Sequence, residues 1–165
     1  MLFQSEQVFS HPVADIVDAY ADPNLYEALP DLPNIGRPQV LDHRREANKA
    51  FLDIRYAFMG ELPAPALAII DPAQLTWVQR TTIDVRAGVA SIVLEPDHYP
   101  DRLRCSGTFQ FSTHEAADCR RRVEGDLEVK VILVSGQVER ALVLGLQEYL
   151  AAEADAVDRW LDRSV

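Results

Sequence analysis

In the alternating stretch 118 to 131, Cys119, Val123, Gly125, Leu127, Val129 and Val131 share one face, and Arg121 stands among them. A guanidinium on such a face must be paired or wet. It has the chemistry to clamp an anion such as a carboxylate. The alternative is that it lies near the strand end and reaches solvent, or pairs with an acidic residue such as Glu153. His43 and Arg45 fall on the apolar face of an earlier hairpin, and His43 is the one candidate whose ordinary pKa is near neutral. They could bind or protonate a ligand oxygen, or be ordinary, partly exposed residues near the hairpin end.

Gln79 and Thr81 share a run with Trp77 and Ile83. They could offer neutral hydrogen bonds to a ligand, or satisfy each other or a buried water. Tyr56 and Phe58 alternate with Leu52 and Ile54 on one face, Phe109 neighbours Arg121 by face, and Tyr149 and Trp160 lie on an apolar helical stripe, where core packing is sufficient explanation for an aromatic ring. Gly145 and Gly125, expected to oppose each other on helix and sheet, would admit either ligand bulk or close packing.

Stronger chemical motifs do not occur. The sequence has no Gly-rich phosphate loop, no His-Glu-x-x-His and no Gly-x-Ser-x-Gly, and His11, His43, His98 and His114 are scattered without metal spacing. No catalytic residue, metal site or cofactor is assigned.

The elements that position these residues follow from periodicity. Residues 2 to 9 read as a strand ended by Ser10-His11-Pro12; Val13, Ile16, Val17 and Tyr20 then recur at helical spacing to about Ala21. Asp22-Pro23 is an N-cap followed by a first-turn proline, opening a second short helix with Leu25, Tyr26 and Leu29. From Pro38 to Val131 the period becomes 2, a meander of antiparallel strands interrupted by 60 to 75, where Pro63, Pro65 and Pro72 exclude a strand and suggest a loop with a short helix. Ser135 is the expected N-cap of a helix running from Gly136 to about Arg163, with Val138, Ala141, Leu142, Gly145, Leu146, Tyr149, Leu150, Val157, Trp160 and Leu161 on one stripe.

Turn residues give provisional registers. A turn at Asn48-Lys49 sets Asp53 opposite Arg44 and Arg55 opposite Asp42, two charge-complementary pairs. A turn at Ala87-Gly88 pairs Ile83 with Ile92 and Val85 with Ala90. Matching apolar faces sets Cys105 opposite Gly125 and Cys119 opposite Phe111, so the thiols are too far apart for a disulfide.

A length of 165 residues, with 48% hydrophobic and 25% charged residues, fits one globular domain spanning 1–165. The net charge of -10 argues against nucleic acid or an anionic bilayer as partner, since both are bound through clustered Lys and Arg. Arg120-Arg121-Arg122 is followed by Glu124, Asp126 and Glu128 and reads as a solvated strand face. No secretory signal and no membrane span is legible, so a cytoplasmic monomer or homodimer is expected.

The order strand, two short helices, six-stranded meander, long C-terminal helix resembles that of the START-like superfamily, also called SRPBCC or Bet v 1-like. Tyr99-Pro-Asp-Arg-Leu-Arg-Cys-Ser-Gly-Thr-Phe, Arg122-Val-Glu-Gly-Asp-Leu, Glu139-Arg-Ala and Val157-Asp-Arg-Trp-Leu look like one uncharacterised bacterial branch of it. The resemblance implies an α+β helix-grip fold, a curved antiparallel sheet of about seven strands around the C-terminal helix. It also implies a cavity between them for a hydrophobic small molecule, lipid-like, polyketide or aromatic. The expected cavity residues are His43, Arg45, Tyr56, Phe58, Trp77, Gln79, Thr81, Phe109, Arg121, Gly145 and Tyr149. Non-enzymatic binding or carriage is the leading expectation. A polyketide cyclase- or dehydratase-type enzyme using His43, Tyr56 or Arg121, and an interaction module with a vestigial cavity, are the alternatives.

Overall fold

The computed structural model describes residues 1–164. Strand β1 (Leu2–Phe9) is followed by helices α1 (Val13–Ala21) and α2 (Pro23–Ala28) at the bounds their caps predict. The Asp22 carboxylate accepts from the Asn24 amide N–H, satisfying one of the free donors at the start of α2. Strands β2 (Gln39–Glu46) and β3 (Lys49–Ala57) form a hairpin, and the proline-rich segment contributes only the single turn α3 (Ala64–Leu67) and a 3-10 turn. Then follow β4 (Thr76–Asp84), β5 (Val89–Pro96), β6 (Leu103–Thr113), β7 (Cys119–Val129) and the helix α4 (Ser135–Ser164).

All neighbouring strands are antiparallel, in one seven-stranded sheet of order β1-β7-β6-β5-β4-β3-β2. The sequence neighbours β1 and β2 are therefore opposite edges, and α1 and α2 carry the chain between them. Helix α4 packs on β1 and β7, α2 packs on β2, and α1 meets β3, β6, β7 and α4. The 30 residues of α4 span about 45 Å. Its buried stripe includes Val138, Leu142, Leu150 and Val157, each contributing roughly 1.5–3 kcal/mol by burial. Among the described residues no helix is long and apolar enough to cross a membrane.

Three hairpin registers differ from those that turn residues and matched apolar faces suggest, each by two residues next to its turn. The first turn is Ala47-Asn48, with Ala47 in the left-handed region at φ 50°, so Glu46 pairs with Lys49, Arg44 with Phe51 and Asp42 with Asp53. The complementary charge pairs are thus not formed across that ladder. Residues 85–88 form a four-residue loop ending on Gly88 at φ 66°, which pairs Ile83 with Ala90 and Thr81 with Ile92. In the third hairpin Cys105 faces Leu127 and Thr113 faces Cys119, placing the free thiols eight positions, about 27 Å, apart along the ladder. A shift of two keeps every side chain on its face, so the inward set is unchanged except in β2, where a bulge between Val40 and Asp42 places Val40 rather than Leu41 opposite Ile54.

Ser135 is not the N-cap. It is the first helical residue, and its hydroxyl bonds both the N–H and the carbonyl of Val131, while the Val134 carbonyl accepts from Gln137 and Val138.

Candidate functional site

The concave face of the sheet does not close fully on the helices. A cavity of about 70 Å3 remains, lined by Trp77, Gln79, Thr81 and Ile83 of β4, Ala90, Ile92 and Leu94 of β5, Cys105, Gly107, Phe109 and Phe111 of β6, and Val123 and Gly125 of β7. Phe3, Tyr20, Tyr26, Ile35, Tyr56, Leu146, Tyr149, Leu150 and Glu153 continue the wall, and Ser106 and Glu124 border it beside Gly107 and Gly125. The period of two on each strand places the strand residues other than Ser106 and Glu124 inward together, and the helical stripe supplies Leu146, Tyr149, Leu150 and Glu153 from above.

One end of the cavity is an aromatic cluster. Tyr56 stacks on Trp77 with centroids 6.1 Å apart, and Tyr149 meets the same Tyr56 ring edge-on at 6.2 Å. The Trp77 indole Nε1 is buried with no hydrogen-bond partner among the described residues, and the Tyr149 hydroxyl is buried with no hydrogen bond of good geometry, only a loose approach to the Tyr56 hydroxyl. An orphaned donor such as the indole costs about 1–3 kcal/mol. Burial holds the Tyr56 and Tyr149 hydroxyls well above the usual tyrosine pKa, so both stay protonated. Gln79 Nε2 donates to Thr81 Oγ1 at 3.2 Å, so these two side chains satisfy each other in part.

The other end is ionic. Arg121 is fully buried and makes four hydrogen bonds: Nε donates to Gln7 Oε1 at 2.8 Å, Nη1 to Glu153 Oε2 at 2.7 Å and to the Tyr20 hydroxyl at 2.5 Å, and Nη2 to the Leu150 carbonyl at 3.1 Å. Tyr20 in turn donates to Glu153 at 2.8 Å, and Tyr26 donates to the Tyr20 carbonyl. The guanidinium also lies 4.9 Å from the centroid of the Phe109 ring and 5.1 Å from that of Tyr20. Burial works against the charge, but Tyr20 and Glu153 more than offset it and Arg121 is held above its ordinary pKa. The network ties β1, β7, α1, α2 and α4 into one floor.

Of the sequence-predicted residues, Tyr56, Trp77, Gln79, Thr81, Phe109 and Tyr149 come together around the cavity. Arg121 lies behind its wall, paired with Glu153, which is the internal-pairing alternative, though far from solvent. His43 and Arg45 do not join the site. They face the same side as Leu52 and Ala50, but β2 is the sheet edge and their side chains are exposed, Arg45 reaching Asp18 at 3.3 Å. Phe58 and Gly145 are also outside the cavity lining and form a packing joint: a Cβ on Gly145 would lie 2.7 Å from the Phe58 ring, and one on Gly60 would lie 2.5 Å from it. Gly145 and Gly125 do not oppose each other, because the space above Gly125 is filled by Phe3, 2.5 Å from a Cβ built there.

Sequence reasoning did not single out Phe3, Tyr20, Tyr26, Cys105 or Glu153 as lining. Glu153 carried a signal, a carboxylate at a stripe position between Leu150 and Val157 that faces a strand with one buried cation. Cys105 sits beside Asp126 in a wall that keeps its thiol protonated, burial pushing its pKa up to about 12.

Solved structures share this architecture. The protein TTHA0849 from Thermus thermophilus matches with a TM-score of 0.69 at 14% identity, covering 99% of both chains. The Zhui aromatase/cyclase from Streptomyces sp. R1128 matches with a TM-score of 0.65 at 16% identity, covering 99% of this chain and 94% of that one. Norcoclaurine synthase from Thalictrum flavum matches with a TM-score of 0.64 at 19% identity, over 98% of this chain and 86% of that one. At such identities the likeness shows the fold, a START-like, Bet v 1-like helix grip. No curated protein matches the chain. A family model described as "Protein of unknown function (DUF2505)" matches residues 4–161, and with the sheet, the gripping helix and the intervening cavity all in place, the chain belongs to that family within the START-like fold.

Proposed function

We propose that this chain, folded as one domain, binds a compact hydrophobic small molecule, aromatic rather than long-chain, in the cavity between the sheet and α4. The observation that carries the reading is a largely apolar space inside the core, bordered by aromatic rings, two of which hold buried polar atoms without a hydrogen bond of good geometry. Apolar walls with a few fixed polar groups are the usual make-up of a small-molecule site. The size argues for a compact occupant. About 70 Å3 is less than the roughly 150 Å3 that admits benzene in an engineered apolar cavity, so even one ring enters by pushing the walls apart and a lipid or sterol would need far more.

Two of the similar structures are named as enzymes, an aromatase/cyclase and a norcoclaurine synthase. A reaction of the cyclase or dehydratase type needs a proton carrier within hydrogen-bond reach of the ligand. His43 is exposed on the edge strand and Arg121 is enclosed by its own partners, which leaves Tyr56, whose proton burial holds tightly. Binding without reaction is therefore the reading favoured here.

Toluene, followed by backbone amide shifts, tests it. The expected result is saturable shifts confined to β4, β5, β6 and the middle of α4, weakened at least tenfold by Ala90→Leu, which fills the space from the sheet side. A folded protein whose spectrum ignores toluene and comparable small hydrocarbons would remove the basis of the proposal.

A further inference from the structure

From the unsatisfied donors we infer that the occupant carries a neutral acceptor oxygen, as in a ketone, ester or quinone, held by the Tyr149 hydroxyl and the Trp77 indole N–H. The inference rests on the proposed binding function and names the chemistry of its ligand.

Three observations support it. An indole N–H only donates, so no donor on a ligand can satisfy Trp77; an acceptor is required. The Tyr149 hydroxyl and Trp77 Nε1 belong to rings that pack against the same Tyr56 ring and line the same cavity; Nε1 has no partner among the described residues, and the Tyr149 hydroxyl has only its loose approach to the Tyr56 hydroxyl, which a better acceptor would displace. A carbonyl oxygen has two lone pairs and can take both bonds when the rings part to admit the guest, since both donor atoms are covered in the empty protein. The acceptor is neutral because the buried cation beside the cavity, Arg121, is already committed to Glu153 at 2.7 Å, and Glu153 itself lines the wall. A carboxylate entering there would be a buried charge beside a like charge, without a free counter-ion. The earlier expectation that Arg121 clamps an anionic head is replaced by this arrangement.

Cyclohexanone, methylenecyclohexane and cyclohexanecarboxylate have nearly the same shape and differ in the group presented, a carbonyl, a hydrocarbon and an anion. Titrating all three into the wild type and into Tyr149→Phe separates the hydrogen bond from hydrophobic affinity, since the ratio of ketone to hydrocarbon affinity is compared between the two proteins. That ratio is expected to fall about tenfold in Tyr149→Phe, the size of one buried hydrogen bond. The Trp77 indole proton, assigned by its loss in Trp77→Phe, is expected to move downfield with the ketone and not with the hydrocarbon, whereas that of Trp160 stays in place. Cyclohexanecarboxylate is expected to bind most weakly. An unchanged ratio with equal indole shifts for both neutral probes overturns the acceptor while leaving cavity binding intact; tightest binding by the carboxylate overturns neutrality. Failure of all three probes to bind overturns this inference together with the function it rests on.

Discussion

Arg121 and Glu153 each sit where burial alone would disfavour a charge, so neither is tolerable without the other. Removing one partner of such a pair typically costs about 3–5 kcal/mol, whereas replacing both by apolar side chains is often neutral. Glu153→Gln and Arg121→Met are each expected to lower the unfolding free energy, measured by urea denaturation, by that amount, and Arg121→Met combined with Glu153→Leu to recover most of it; equal losses in single and double variants would contradict the pairing. Tyr149→Phe should behave oppositely, leaving stability of the empty protein unchanged or slightly higher, because its hydroxyl makes no hydrogen bond of good geometry. The ion pair was one of the outcomes the sequence allowed for Arg121, beside solvent exposure and an anion clamp, and the structure selects it. The poorly paired hydroxyl was not legible, since it depends on rotamers and on how the three rings pack against one another.

At the scale of elements, glycine in α4 shows how packing overrides propensity. Gly145→Ala would gain up to about 1 kcal/mol of helix propensity on an exposed surface. Here the added methyl meets the buried Phe58 ring at 2.7 Å and Asn34 at 3.3 Å, so the variant is expected to melt no higher than wild type, with Gly145→Ala in a Phe58→Leu background recovering the gain. The strand layer carries a pH prediction. Asp97 accepts from Arg55 of β3 at 2.9 and 3.1 Å and from Thr76 of β4 at 2.9 Å, and the Arg55 bond first of all holds its carboxyl below the ordinary range. A folded pKa below the unfolded one means the contribution is complete above about pH 4 and is lost as pH falls through the folded value. Asp97→Asn should therefore flatten the acid limb of the stability curve below about pH 4 and leave it unchanged in shape above. Strand faces were legible from alternation, but the three registers were not, because a period of two is satisfied equally by a slip of two residues and the turns chose among the alternatives. Ala47 in a left-handed turn carries no sequence signature at all.

For the whole molecule, the helix grip was legible because the order of elements resembles that of the START-like superfamily, whereas the placement of β1 and β2 at opposite edges of the sheet was not. The size of the cavity was not, because close-packed interiors differ from open ones by small displacements that composition does not record. The wall chemistry predicts inert thiols. With Cys105 pushed up to about 12 and Cys119 to about 11, both by burial, neither is expected to react with a thiol reagent at about pH 8 until the chain unfolds.

The central claim, an apolar space that a guest can occupy, is tested most directly by a crystal structure under xenon pressure. The account predicts a xenon site between α4 and strands β4 to β6, near Ile92, Phe109 and Tyr149, that disappears in Ala90→Leu. Xenon bound elsewhere, with this region empty in well-ordered density, would contradict it.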